Sequence, residues 1–281
     1  MTFILATAIC SPIVKRCATW YTFCASWIVS CLSYSLVFFV GGRNAIFQPT
    51  EALCVFQAAL VYSVPILTAL TTLALLVHSW YNVHFGVAFP PLESYPRIMT
   101  FFLVAPFIAW MVVFVSFLAF AVTQRSVVQH FPGTHYCVVK SLLPSKITPL
   151  IVVIITCSML PIQASLAISL SQNLYSDSAS RPTMSIPTLR IVVRVMIFGF
   201  LTLIAFGTAT VHLFTSRPGE VPDILMAWLA VSAVLIFGCQ RDIIQAWTVW
   251  IRAATSKGGG GRTPELKNPG THFIPALHVP A

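Results

Sequence analysis

The chain has 281 residues, 57% of them apolar and only 8% charged, where a soluble domain carries about 25% charged residues. With a mean hydropathy of +0.87, these values exclude a soluble globular enzyme and a disordered protein, and they point to the bilayer. The net charge of +9 reflects scarce acids, seven against 16 basic residues, with no dense basic block. Nucleic acid is therefore not an expected partner; a membrane protein that follows the positive-inside rule gives the same balance.

The first apolar run covers 13 residues, 2–14, roughly 20 Å as a helix, and Lys15-Arg16 closes it. It is too short to cross a bilayer and lacks the basic start of a signal peptide. It reads as the inner half of a first helix truncated at its beginning. The other reading is a short membrane-dipping arm on a six-span protein.

Six longer runs follow. Residues 17–42, 52–77, 98–124 and 147–176 contain no Asp, Glu, Lys, Arg or His, 195–216 contains only His212 of these, and 224–240 contains none. About 20 apolar residues at about 1.5 Å each cross ~30 Å of hydrocarbon. Five runs reach that length directly, and the last does once Val221 and Pro222 are added, a proline being tolerated in a first helical turn. The runs are apolar on every face, unlike the alternating strands of a barrel. The expected fold is an all-α polytopic membrane helix bundle of six full transmembrane helices plus a partial first helix, spanning 1–252. Residues 253–281, with four consecutive glycines at 258–261, form an expected disordered tail.

With the tail in the cytoplasm, eleven Lys and Arg fall on the inner side, and Arg43, Arg125, Lys140, Lys146 and Arg217 on the outer side. That asymmetry favours this orientation. The outer loops are then 42–51, 125–146 and 217–223, and the inner loops 15–16, 80–97 and 172–189. Between the last span and the tail, Ile243, Ile244, Trp247, Trp250 and Ile251 share one helical face, with Arg241, Thr248 and Arg252 away from it. Either the last helix runs on, or a separate helix lies along the inner surface with Trp at headgroup depth.

Eight cysteines are present. Cys10, Cys17, Cys24 and Cys31 recur every seven residues, a pattern that ordinary burial explains. Cys17, beside a basic inner loop, is a candidate for palmitoylation. Cys54 starts the second full span at its outer end and Cys137 lies in the long outer loop. Both face the oxidising side, where a disulfide between them persists.

Chemistry is mostly absent. The spans lack the intramembrane ionisable groups of pumps and proton relays, and none contains Lys for a retinal Schiff base. The seven His are scattered, without HExxH, and there is no GxSxG. No enzyme, metal or cofactor is expected. Cys54, Gln57, Thr68, Thr71 and Thr72 share a face that must point into the bundle, since lipid offers no partner. Thr208, His212 and Thr215 share another. These groups either glue helices together or line a ligand pocket, with Gln57, Thr68, Thr208 and His212 as its candidates. Arg97, Arg190, Arg194, Arg241 and Arg252 make the inner face basic, either snorkelling to headgroups or forming a docking surface.

An outer-face Cys at the start of the third helix and a partner Cys in the second outer loop resemble a G-protein-coupled receptor. The wording resembles more closely a family of fungal (basidiomycete-type) seven-transmembrane receptor-like proteins. The matching pieces are CVFQAALVYSVP from Cys54, LVAPFIAW from Leu103, HYCVV from His135 and LIFGCQRDIIQAW from Leu235. The resemblance implies a plasma-membrane receptor that senses an extracellular ligand and signals to a heterotrimeric G protein. It places the cytoplasmic partner face at His78, Tyr81, Arg97, Arg190, Arg194 and Arg241. The acidic-Arg-Tyr triplet of rhodopsin-like receptors is replaced by His78-Ser79-Trp80-Tyr81, and the Asn-Pro-x-x-Tyr pattern by Phe237-Gly238-Cys239-Gln240. A carrier or channel for a small uncharged solute, using the same polar lining, is the alternative from another class; a structural membrane protein without ligand is a third.

Overall fold

The computed structural model of the chain describes residues 1–11, 14, 16–41, 50–85, 92–124, 128–130, 136–139, 142–175, 186–214 and 221–258. Within these residues the helices are α1 (Thr2–Cys10), α2 (Ala18–Gly41), α3 (Glu51–His84), α4 (Pro96–Thr123), α5 (Leu142–Tyr175), α6 (Ile186–Phe214), α7 (Val221–Gly238) and α8 (Arg241–Gly258). A small antiparallel ribbon, β1 (Val128–His130) with β2 (Cys137–Val139), sits between α4 and α5. The fold is the expected all-α bundle. Five helices are long and apolar enough to cross a membrane, six if α7 and α8 count as one broken span.

Helix ends follow local chemistry. Thr50 caps α3, its hydroxyl accepting from the Leu53 N–H at 3.4 Å, and Glu51 complements the dipole in the first turn. Pro96 opens α4, where its missing N–H costs nothing. Both α3 and α5 run for 34 residues, about 51 Å, and so project beyond the hydrocarbon. The loops expected at 80–97, 125–146 and 172–189 are correspondingly shorter: charge-free runs mark only what lies in lipid, whereas a helix continues into headgroups and water.

α3 is the central helix, in contact with α2, α4, α5 and α6. In its most apolar window 72% of residues are buried, against 11% in α4. α4 instead presents Phe101, Ile108, Val112 and Val115 outward, and α7 presents Trp228, Val231 and Leu235. Apolar belts of this extent contact lipid. Inside, Phe23 and Trp27 of α2, Phe198 of α6 and Phe237 of α7 form one buried aromatic cluster. Its edge-to-face pairs include Phe23–Phe237 at 5.0 Å and Phe23–Phe198 at 5.2 Å, each worth about 0.5–1.5 kcal/mol beyond area burial.

Polar pairs tie helices laterally. Ser26 and Thr71 hydroxyls meet at 2.8 Å, the Trp110 indole donates to Ser63 at 3.1 Å and the Trp80 indole to Ser165 at 3.0 Å. Such bonds contribute ~0.6 kcal/mol each in a membrane bundle.

α8 departs from α7 at a 75° bend. Gln240 accepts from the Ile244 N–H at 2.9 Å and starts a new helix. The last span therefore does not run on; the separate helix is the observed one. Ile243 and Ala246 are buried against the bundle, and Trp247 donates to the Thr7 hydroxyl of α1 at 2.7 Å. Ile244, Trp250 and Ile251 extend the apolar face outward, and Arg241, Thr248 and Arg252 are exposed. α8 also continues to Gly258, past the tail boundary expected after Arg252. Ala253 and Ala254 favour helix, and the Thr255 hydroxyl bonds back to the Ile251 and Arg252 carbonyls at 3.0 Å. The rest of the expected tail lies outside the described residues.

Candidate functional site: a basic cavity opposite the disulfide

The disulfide end is built around one glutamine. Cys54 of α3 and Cys137 of β2 form a disulfide with Cα atoms 5.3 Å apart. One turn below Cys54, Gln57 is completely buried. Its Oε1 accepts from the Cys137 N–H at 3.1 Å, and its Nε2 donates to the Ser33 and Tyr34 carbonyls at 3.2 and 3.3 Å. Tyr34 and Tyr136 meet edge to face at 5.6 Å, and the Tyr62 hydroxyl donates to the Val139 carbonyl at 3.4 Å. A covalent bond, an amide and two tyrosines thus hold the ribbon across the ends of α2 and α3.

Three of the four residues expected to line a ligand pocket have described side chains, and each makes hydrogen bonds to backbone groups. Gln57 spends its amide on backbone groups of α2 and β2. Thr68 is buried and bonds back to the Pro65 carbonyl at 3.1 Å. Thr208 is exposed and bonds back to the Ile204 and Ala205 carbonyls, both at 2.9 Å. The side chain of His212 lies outside the described residues. On α3, the polar face is used for joining elements.

At the opposite end a cavity of about 610 Å³ is lined by Arg16, Arg190, Arg194, Gln240, Arg241 and Asp242, with Ile191 and Gln245. Each arginine arrives from a terminus. Arg190 and Arg194 lie one turn apart in the first turns of α6, Arg241 opens α8, and Arg16 precedes α2. Arg16 pairs with Asp242 and bonds to the Gln240 side chain; its own side chain is 9% exposed. This pair pins the α1–α2 connection to the start of α8. Arg194 donates to the Ile236 and Cys239 carbonyls at 3.2 and 3.5 Å, satisfying two acceptors that the end of α7 leaves open. Among the described residues, Arg190 and Arg241 have no carboxylate partner.

A second cavity of about 220 Å³ adjoins the first, sharing Arg16, Ile191 and Gln240, and is lined further by Trp20, His78, Asn82, Glu93 and Phe237. Arg16 Nε, Trp20 Nε1, His78 Nδ1 and Asn82 Oδ1 are buried in its walls without a hydrogen-bond partner among the described residues. Phe237 connects this cavity to the aromatic cluster. Cys17 also lines it. Burial pushes the Cys17 thiol above its ordinary pKa of 9.0, partly offset by the Thr19 hydroxyl donating to its sulfur at 3.4 Å. A raised pKa leaves less of the reactive thiolate at any given pH.

Of the expected inner-face set, Arg190, Arg194 and Arg241 meet at the first cavity and His78 lines the second; Tyr81 and Arg97 line neither. Sequence reasoning missed Arg16, Gln240 and Asp242 as parts of the site. Asp242 is the sole acid between Asp223 and Glu265, and its isolation among basic residues was the available signal. Membrane-length helices, a disulfide-tied ribbon at one end and a basic cavity at the other define a polytopic helical bundle in contact with lipid. A comparison with protein-family models finds no match, and a comparison with curated proteins finds none either.

Proposed function

We propose that the chain is a receptor-like seven-transmembrane protein of the plasma membrane and not an enzyme. It senses an extracellular ligand at the disulfide end and presents its arginine end to a cytosolic partner. The partner that the sequence resemblance implies is a heterotrimeric G protein. Orientation is supported twice: a disulfide persists on the oxidising side of a membrane, and the surplus of Lys and Arg favours a cytoplasmic arginine end and tail.

The observation that carries the reading is the cavity of about 610 Å³ at the arginine end. It is separated from the disulfide end by the buried Phe23, Trp27, Phe198 and Phe237. A basic recess at one end suits a protein that changes shape to admit a partner. The buried rings suit an open channel less, since a channel needs a continuous path between both faces.

The test is constitutive G-protein activation in cells, compared between the wild-type chain and an Arg190→Ala/Arg241→Ala variant at matched surface expression. The expected result is a signal that the variant loses. No signal from either, together with solute flux in proteoliposomes, would overturn the receptor reading in favour of the carrier. Labelling of the exposed Cys239 only after permeabilisation checks the orientation separately.

A further inference from the structure

We propose that the larger basic cavity holds the polyphosphorylated headgroup of an anionic membrane lipid. The inference rests on the proposed cytoplasmic orientation of the arginine end, and not on G-protein coupling.

Charge is the first ground. Arg16, Arg190, Arg194 and Arg241 line the cavity and Asp242 is the one carboxylate among its lining residues. Asp242 is already engaged by Arg16. Among the described residues Arg194 bonds to neutral carbonyls alone, and Arg190 and Arg241 have no acidic partner. Converging guanidinium groups repel one another, and an anion between them removes that cost. Their planar forks match phosphate oxygens two at a time. Several guanidinium groups around one space call for several negative charges.

Size is the second ground. About 610 Å³ falls within the ~300–1,000 Å³ of ordinary small-molecule sites, room for a ring bearing several phosphates and far more than one phosphate needs.

Position selects the source. α8 turns away from α7 at 75° and carries Ile244, Trp250 and Ile251 exposed on its apolar side, with Arg252 and Thr248 exposed elsewhere. A helix so divided lies in the interface with Trp at headgroup depth. Arg241, in its first turn, therefore places the cavity mouth beside lipid headgroups, where basic recesses between helices take up phosphorylated lipids.

The experiment uses the full chain in phosphatidylcholine nanodiscs. These contain phosphatidylinositol bisphosphate or, matched for total negative charge, phosphatidylserine. Bound lipid is read by native mass spectrometry and by the unfolding temperature. The expected result is retention and thermal stabilisation by the bisphosphate lipid and little by phosphatidylserine. Arg190→Gln and Arg241→Gln should each weaken retention roughly fivefold, from ~1 kcal/mol per basic residue at a membrane surface. Arg252→Gln, on the same helix but outside the cavity, should weaken it clearly less than either.

Equal retention of both lipids, or an equal loss in Arg252→Gln, would mean diffuse surface charge and overturn the proposal. Inorganic phosphate added to plain discs distinguishes a free ion from a lipid; stabilisation equal to that by the bisphosphate lipid would overturn the lipid source. The wild-type lipid comparison decides even where a variant fails to fold. Failure of the chain to enter discs, or outside labelling of Cys239 in cells, would refute the membrane orientation itself. Absence of G-protein activation leaves the lipid result standing.

Discussion

Replacing Gln57 by leucine tests whether this glutamine is a tie or a ligand contact. The change keeps a similar volume in a completely buried position and deletes three hydrogen bonds. The Ser33 and Tyr34 carbonyls lie within α2, where helical donors remain, so their loss is modest. The Cys137 N–H differs: Gln57 Oε1 is its acceptor at 3.1 Å, and a buried donor left unmade costs about 1–3 kcal/mol. A local loss of about 2 kcal/mol is roughly 30-fold in the opening equilibrium. The disulfide still tethers the ribbon, so global stability should change less. Across a separation of 83 residues, the chain-entropy model assigns such a crosslink roughly 4.5 kcal/mol, an upper bound for a chain whose unfolded state stays threaded through lipid. The assay is hydrogen exchange of the peptide containing Cys137–Val139, disulfide intact, in wild type and Gln57→Leu. Exchange should accelerate about 30-fold without loss of the crosslink. An unchanged rate would show that Gln57 is not holding the ribbon and would return it to the set of groups free to meet a ligand.

Three further outcomes follow from the arginine end. Asp242→Asn should lower stability by about 1–2 kcal/mol, a value discounted for the 33% exposure of Asp242; Arg16→Gln should cost more, because Arg16 also meets Gln240. Paired thermal melts of the two variants check that order. Trp247→Phe keeps most of the buried ring and removes its bond to Thr7; a loss of about 1 kcal/mol and faster proteolysis after α8 are expected, measured by limited digestion in nanodiscs. Maleimide should label the exposed Cys239 rapidly at neutral pH and Cys17 slowly. The Cys17 rate should still be rising above pH 9.0, because burial raises the pKa of its thiol and only the thiolate reacts; stopped-time mass spectrometry across pH reads both sites.

The spans were legible because lipid imposes a one-dimensional rule: an ionisable side chain inside hydrocarbon is costly, so its absence writes the helix into the sequence. Helix ends were less legible, since that rule stops at the headgroups while backbone hydrogen bonding carries α3 on to His84 and α5 on to Tyr175. The disulfide was legible from topology, but the ribbon around Cys137 was not. Its strands have three residues each, too few for a period-two pattern, and Gln57 and Cys54 of another element hold it in place. The polar face of α3 was read correctly as buried. Its use stayed open between a helix tie and a ligand contact, because choosing requires knowing that Ser33, Tyr34 and Cys137 arrive opposite Gln57. The basic cavity draws on residues 16, 190–194 and 240–245, and no local pattern links those segments.

α3 gives the two ends a mechanical relation. One helix carries Cys54 and Gln57 beneath the ribbon and His78 and Asn82 in the wall of the smaller cavity. The 28-residue separation of Cys54 and Asn82 makes about 42 Å of helix, interrupted in its hydrogen-bond ladder at Pro65. Because α3 is packed on several sides, a shift of its outer end cannot dissipate in lipid; it must be taken up by neighbours or passed inward. The arginine end is where slack exists: among the described residues, four polar atoms around the smaller cavity lack protein partners, and the Arg16–Asp242 pair is the described ion pair that would have to rearrange. Under the proposed receptor reading, a rearrangement there that satisfied Trp20, His78 and Asn82 would recover part of what their present burial costs. Phe237 sits at the junction of this cavity and the aromatic cluster, so Phe237→Ala should disturb both at once, destabilising the bundle by about 3–5 kcal/mol and raising constitutive signalling per folded molecule. A variant that lost stability with unchanged signalling per folded molecule would break the proposed link between the core and the basic end.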